Sequence, residues 1–179
     1  MDHINLSDAR DRKIPVGNTP SVLDGATADC AFTLILSTAR KLVFADRYAR
    51  SAEFTEYKPS YILGTEVHHT TIGIVGMGAI GEQIAKRANA FDMKVLYHNR
   101  HRKPLAESRL NAVYVALDDL LAQSDFVVLA VPLTDSTRGL IRQRELGLMK
   151  SSAILINVAR GAVVVTRAVR VFRAINRLY

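Results

Sequence analysis

A single cysteine, Cys30, is all the thiol the chain has. No internal disulfide framework can form, and the scarcity fits a reducing compartment. No apolar run approaches the roughly 18 residues that a membrane-crossing helix needs. The longest, Phe126 to Pro132, is the length of a strand. The N-terminus, Met1-Asp2-His3-Ile4-Asn5, is acidic and polar, unlike a secretory signal. A cytoplasmic location without a membrane partner is therefore expected. The sequence has no zinc-type ligand spacing, internal repeat or low-complexity segment, and no metal site is expected.

Acid is missing from one end. No Asp or Glu follows Val165, while Arg167, Arg170, Arg173 and Arg177 all fall there and supply more than half of the net charge of +7. The excess charge is thus local. No aromatic residues interleave with a basic patch, so a nucleic-acid partner is not expected. The arginines recur at steps of three, three and four and would share one face of a solvated basic helix.

What is present is ordinary for a globular chain of 179 residues: 49% hydrophobic and 23% charged. Residues 1–20 read as a short irregular piece, with Ile14 to Pro20 a brief strand entering a turn. From Asp24, a plausible N-cap, to Arg50 the apolar residues Phe32, Ile35, Leu36, Ala39, Leu42 and Val43 recur at helical steps, which predicts one long helix. Residues 51–69 read as a loop that includes His68 and His69. Beyond it strands and helices alternate. Strands are expected at Thr71–Val75, Lys94–His98, Ala112–Val115, Asp125–Val131 and Ala153–Val158. Helices are expected at Gly81–Phe91, Leu117–Gln123 and Gln143–Met149. Such alternation implies right-handed crossovers and a parallel sheet covered on both faces.

The first of these strands runs into Gly76-Met77-Gly78-Ala79-Ile80-Gly81, and a helix follows. G-x-G-x-x-G alone is a weak signal, but between a strand and a helix each glycine has a task. Gly76 permits the tight turn, Gly78 leaves room for a pyrophosphate, and Gly81 lets helix and strand pack closely. With Ala79 and Ile80, these residues are the candidate phosphate cradle of a doubly wound α/β (Rossmann) unit. The helix N-terminus would present free N–H groups to the phosphates.

An acid at the end of the second strand would favour NAD(H). Asn99 stands there instead, 18 residues after Gly81 and followed by Arg100-His101-Arg102-Lys103. Asn99 does not repel a 2′-phosphate, and Arg100 and its basic neighbours up to Lys103 can pair with one. NADP(H) is therefore the expected cofactor, with NAD(H) as the alternative. Asn157-Val158-Ala159-Arg160-Gly161 closes the fifth strand, at the sheet edge where open parallel sheets bind ligands. Arg160 could aim its guanidinium at a carboxylate or carbonyl oxygen, or it could merely cap the strand end.

Several stretches occur in the order found in the D-isomer-specific 2-hydroxyacid dehydrogenases. They are Gly17-Asn18-Thr19-Pro20, Ala26-Thr27-Ala28-Asp29, the glycine loop, Val131-Pro132-Leu133-Thr134 and Asn157 to Gly161. The chain resembles that family from about residue 2 to Val164. Tyr97–Arg102 and Arg144–Lys150 look most like its glyoxylate/hydroxypyruvate and 2-ketogluconate reductases. The resemblance implies hydride transfer from NADPH to the carbonyl of a 2-keto acid such as glyoxylate or hydroxypyruvate. Arg160 would match the catalytic arginine. Pro132 and Thr134 would lie by the nicotinamide side of the cofactor, and Val158 and Ala159 would also touch it. Residues 24–50 would be a hinge helix that contributes to a homodimer.

The departures from the family are as informative. Relative to it, residues 1–20 would be a remnant of the substrate (catalytic) domain. Residues 21–179 would be the hinge helix plus a dinucleotide-binding domain without its last strands. The acid–base histidine and its glutamate partner lie beyond the arginine in the family. None of the five histidines here (His3, His68, His69, His98, His101) falls after Arg160. The resemblance stops after Val164. Truncation at both ends and little or no activity of this chain are expected, and exposed apolar surface would favour association.

Overall fold

The computed structural model describes residues 4–169. Its centre is a five-stranded sheet made of β1 (Thr71–Val75), β2 (Lys94–His98), β3 (Ala112–Tyr114), β4 (Phe126–Leu129) and β5 (Ile154–Asn157). The spatial order is β3-β2-β1-β4-β5 and every pairing is parallel. The order reverses between β1 and β4, so the crevice at their carboxyl ends is open to a ligand. Register levels those ends. Val75 pairs with both His98 and Leu129, and Leu129 pairs with Asn157. The loops after four strands therefore start from one row.

Strand side chains alternate between the faces, and the sequence fills both. Ile72, Ile74, Val95, Tyr97, Phe126, Val128 and Ile156 point to one core, with Ala28, Ala31, Phe32 and Ile35 of α2 (Asp24–Ala39) and Ile84, Ala85 and Ala88 of α4 (Ala79–Ala90). Val75, Val127 and Leu129 point to the other, with Leu120 and Leu121 of α6 (Leu117–Gln123) and Leu146 of α7 (Gln143–Leu148). Alanines at the α2–α4 contact let the helices approach closely. Arg87 ties them by donating from Nε to Asp29 Oδ1 at 2.8 Å and from Nη2 to the Gly25 carbonyl at 3.3 Å. At the amino ends of the strands, Asp125 accepts the Thr71 N–H at 2.9 Å and Lys150 Nζ at 2.7 Å.

Several expectations need correction. The helix from residue 24 is not continuous to Arg50. It ends at Ala39, and α3 (Leu42–Ala49) starts after Lys41, whose φ is +52°. The reason is tertiary: the Ala39 carbonyl, which a continuous helix would give to Val43, accepts the Thr65 N–H at 2.7 Å. Asp24 is not the N-cap. Leu23 holds that position and Asp24 is the first helical residue, an acid beside the positive end of the dipole. Residues 14–20 form no strand. Helix α1 (Leu6–Asp11) precedes them, capped by the Asn5 side chain, which accepts the Ser7 and Asp8 N–H groups at 3.1 and 3.3 Å. The basic stretch after β2 leads into a further helix, α5 (Pro104–Leu110), with proline at its start, where the missing N–H costs nothing. Among the described residues no helix is long and apolar enough to cross a membrane, and no His/Cys/Asp/Glu group could hold a metal. The basic pattern from Arg167 onward runs almost wholly into residues 170–179, outside the described residues.

Candidate cofactor site

The glycine loop sits between the carboxyl end of β1 and the start of α4. Gly76 has φ +105°, and a Cβ there would lie 2.7 Å from the Ala130 carbonyl oxygen. Only glycine combines that backbone angle with that approach. Its N–H donates to the His98 carbonyl at 2.9 Å, which extends the β1–β2 ladder into the turn. A Cβ on Gly81 would collide with the Gly76 carbonyl oxygen, so α4 lies close against the loop. Gly78 differs. It caps α4, no side chain caps that end, and a Cβ there would meet nothing within 4 Å. Helix starts leave their first N–H groups without intrahelical partners. An open space over those donors is what a pyrophosphate requires, so the residues present fit a dinucleotide.

Two cavities flank the loop and share Gly78, Ala130, Val131 and Pro132 in their walls. The first, about 420 Å³, also takes in Ala79, Ile80, Leu133, Val158, Ala159 and Arg160. Asp24 reaches this wall too, an acid whose place there had no signal beyond its position in a helical pattern. The second, about 390 Å³, runs from Gly76 to His98, Asn99, Arg100 and Lys103 on one side and to Thr134, Ser136 and Thr137 on the other. The cofactor- and substrate-site candidates read from the sequence therefore gather around one loop. Thr134 belongs to the second cavity, with Asn99 and Arg100, whereas Pro132 borders both.

Local hydrogen bonds shape the walls. Thr137 Oγ1 donates to the Pro132 carbonyl at 2.6 Å and accepts the Thr134 N–H at 2.8 Å, which folds residues 132–137 into a compact turn. Asn157 does the same after β5. Its Oδ1 accepts the Ala159 N–H at 3.0 Å and its Nδ2 donates to the Arg160 carbonyl at 2.9 Å. The Arg160 guanidinium donates from Nη1 to the Ala159 carbonyl at 2.9 Å. After β2, Asn99 Nδ2 donates to the His101 carbonyl at 3.1 Å. Arg102 pairs with Glu107 at 2.7 Å. The Arg102 hydrogen bonds first, and then the Tyr97 hydroxyl, hold the Glu107 carboxyl below its ordinary range.

Residues 32–175 match the family profile described as D-isomer specific 2-hydroxyacid dehydrogenase, NAD binding domain. A glyoxylate reductase of Thermococcus kodakarensis is 52% identical over 171 residues, covering 93% of this chain and 51% of that protein. A crystal structure of a Thermus thermophilus protein superposes with a TM-score of 0.88 at 44% identity, covering 94% of this chain and 53% of the other. A glyoxylate reductase structure from Paecilomyes thermophila gives a TM-score of 0.87 at 35% identity, with coverages of 99% and 53%. The chain spans about half the length of the curated relatives it matches. On its fold, its glycine loop and this match, the chain belongs to the D-isomer specific 2-hydroxyacid dehydrogenases and carries their NAD-binding domain.

Proposed function

We propose that this chain is the cofactor-binding part of an NADP(H)-dependent reductase of 2-keto acids such as glyoxylate and hydroxypyruvate. The observation that carries the reading is that Arg160 borders the same cavity as Gly78, Ala79 and Ile80. A guanidinium there can hold a keto acid's carboxylate in a two-point grip and polarise its carbonyl, against whatever lies on the glycine loop. When bound, the nicotinamide cofactor supplies the hydride. The residues of the chain orient its ends: Gly76, Gly78, Ala79, Ile80 and Gly81 at the pyrophosphate, Pro132, Val158 and Ala159 towards the first cavity, and Asn99, Arg100 and Thr134 in the second. Asn99 and Arg100 support NADP(H) over NAD(H), because a neutral amide and a cation replace the acid that a ribose hydroxyl prefers.

The domain reading assigns residues 1–20 to a substrate lobe and residues 21–179 to the hinge helices and the dinucleotide unit. A homodimer through α2 and α3 is supported by the exposed Leu34, Leu42, Val43, Phe44 and Tyr61.

A second reading has its own observation. The 19 residues after Arg160 contain no His, Asp or Glu, so the acid–base histidine that the family resemblance implies is not among them. Loss of that group removes about 10² to 10⁴ in rate. By themselves the 179 residues would then bind cofactor, and pair with a second subunit, without efficient turnover. Titration with NADPH and NADH, followed by addition of hydroxypyruvate, separates the readings. Binding without oxidation favours the non-catalytic unit, steady oxidation favours the enzyme, and no binding of either cofactor sinks both.

A further inference from the structure

Tyr97 is buried in the core below β2, yet its hydroxyl reaches the basic segment that follows the strand. It donates to Glu107 Oε1 at 2.6 Å and accepts the Lys103 N–H at 2.7 Å. Glu107 also receives Arg102, from Nε at 3.1 Å and Nη2 at 2.7 Å, and the Arg102 guanidinium lies 5.7 Å over the Tyr114 ring. Burial and then the Glu107 hydrogen bond push the Tyr97 hydroxyl above its ordinary range, so it stays protonated and able to donate. At the other end of the segment, His98 is held by the β1–β2 register, and its Nδ1 lies 3.0 Å from the Val115 carbonyl. Both ends are fixed, and Asn99, Arg100 and His101 span the interval.

Of the three cations in this segment, Arg100 and Lys103 line the second cavity; Arg102, tied to Glu107, does not. We propose that Tyr97 and Glu107 are positioning residues for cofactor choice: the Tyr97 hydroxyl, clamped by Glu107, holds Asn99–Lys103 so that Arg100 and Lys103 form the site of an adenosine 2′-phosphate, while Glu107 withdraws Arg102 from it. The inference rests on the NADP(H) reading above. Its physical basis is preorganisation. Multi-point recognition of a phosphate needs fixed donors, and an anchored segment loses less entropy on binding than a free one. A ligand without the 2′-phosphate gains nothing from the anchor.

The test is calorimetric titration of the 179-residue chain with adenosine 2′,5′-bisphosphate and with adenosine 5′-monophosphate. Tyr97→Phe keeps the ring and every surface charge. It should weaken the bisphosphate about fivefold, the scale of one lost hydrogen bond, and leave the monophosphate unchanged. If Tyr97→Phe fails to fold, the double variant Arg102→Ala/Glu107→Ala removes the clamp from its exposed side at constant net charge, with the same expectation. Equal weakening of both probes, or of neither, overturns the proposal. Arg100→Ala keeps the two failures apart. If it selectively loses the bisphosphate while Tyr97→Phe does not, the clamp is wrong and the NADP(H) reading stands. If Arg100→Ala also leaves the bisphosphate untouched, the NADP(H) reading falls with it.

Discussion

The Asn157 side chain spans the turn that presents Arg160: its Nδ2 donates to the Arg160 carbonyl at 2.9 Å while its Oδ1 accepts the Ala159 N–H at 3.0 Å. The backbone that carries the Arg160 side chain is thus held by a residue that need not touch a ligand. Asn157→Ala removes both bonds from an exposed turn. The expected cost is about 1 kcal/mol, or a fall of roughly 3 °C in the thermal midpoint. An unchanged midpoint would show that the turn holds without Asn157.

Gly78 and Gly81 separate binding from folding. Gly78→Val should move the thermal midpoint far less than Gly81→Val, because a Cβ at Gly78 meets nothing within 4 Å. NADPH affinity should nevertheless fall more than tenfold as the side chain fills the space over the helix start. Gly81→Val should lower the midpoint itself, since its Cβ would strike the Gly76 carbonyl oxygen. Two variants that behave alike in both assays would contradict this division.

Arg160→Ala should leave the NADPH dissociation constant within about twofold. Binding of glyoxylate to the cofactor-loaded chain should drop about tenfold to a hundredfold, the range for a lost charge-assisted hydrogen-bonded contact. Calorimetry on the loaded chain reads both quantities. A large change in NADPH binding alone would place Arg160 on the cofactor instead.

Glu107 gives a pH prediction with a definite sign. Its carboxyl is held below the ordinary value of 4.5, first by Arg102 and then by the Tyr97 hydroxyl. A lowered carboxylate contributes stability above its unfolded value and loses it as pH falls through its folded value. The thermal midpoints of the parent and of Glu107→Gln should therefore differ by a constant amount near neutrality and converge as pH falls below 4.5. A gap that persists into acid would mean the contact is not electrostatic.

Val43 and Phe44 are 60% and 50% exposed beside a groove of about 640 Å³ lined by Leu34, Ser37, Thr38, Lys41 and Tyr61. If this face pairs two copies, Val43→Glu with Phe44→Glu should turn a dimer into a monomer in analytical ultracentrifugation, with the cofactor unit still folded. A parent chain that sediments as a monomer at micromolar concentration would refute the pairing.

The sequence by itself determined the sheet, the glycine loop and the residues that gather round it. These are local signals: β-branched runs one strand long, glycines at a fixed spacing, and helical apolar steps such as Ile84, Ala85 and Ala88. Tertiary structure decided where α2 stops, because the Thr65 N–H takes the Ala39 carbonyl from 26 residues away. It decided that Asp24 borders the first cavity, since that residue carries no motif. It also decided which cations face the second cavity. Arg100, Arg102 and Lys103 are near neighbours in a basic string, and only the fold brings Glu107 and the buried Tyr97 hydroxyl against Arg102 and Lys103 to set them apart. A chain's local pattern encodes propensity and spacing. Which partner satisfies a given carbonyl, hydroxyl or charge depends on residues that only folding brings within hydrogen-bond reach.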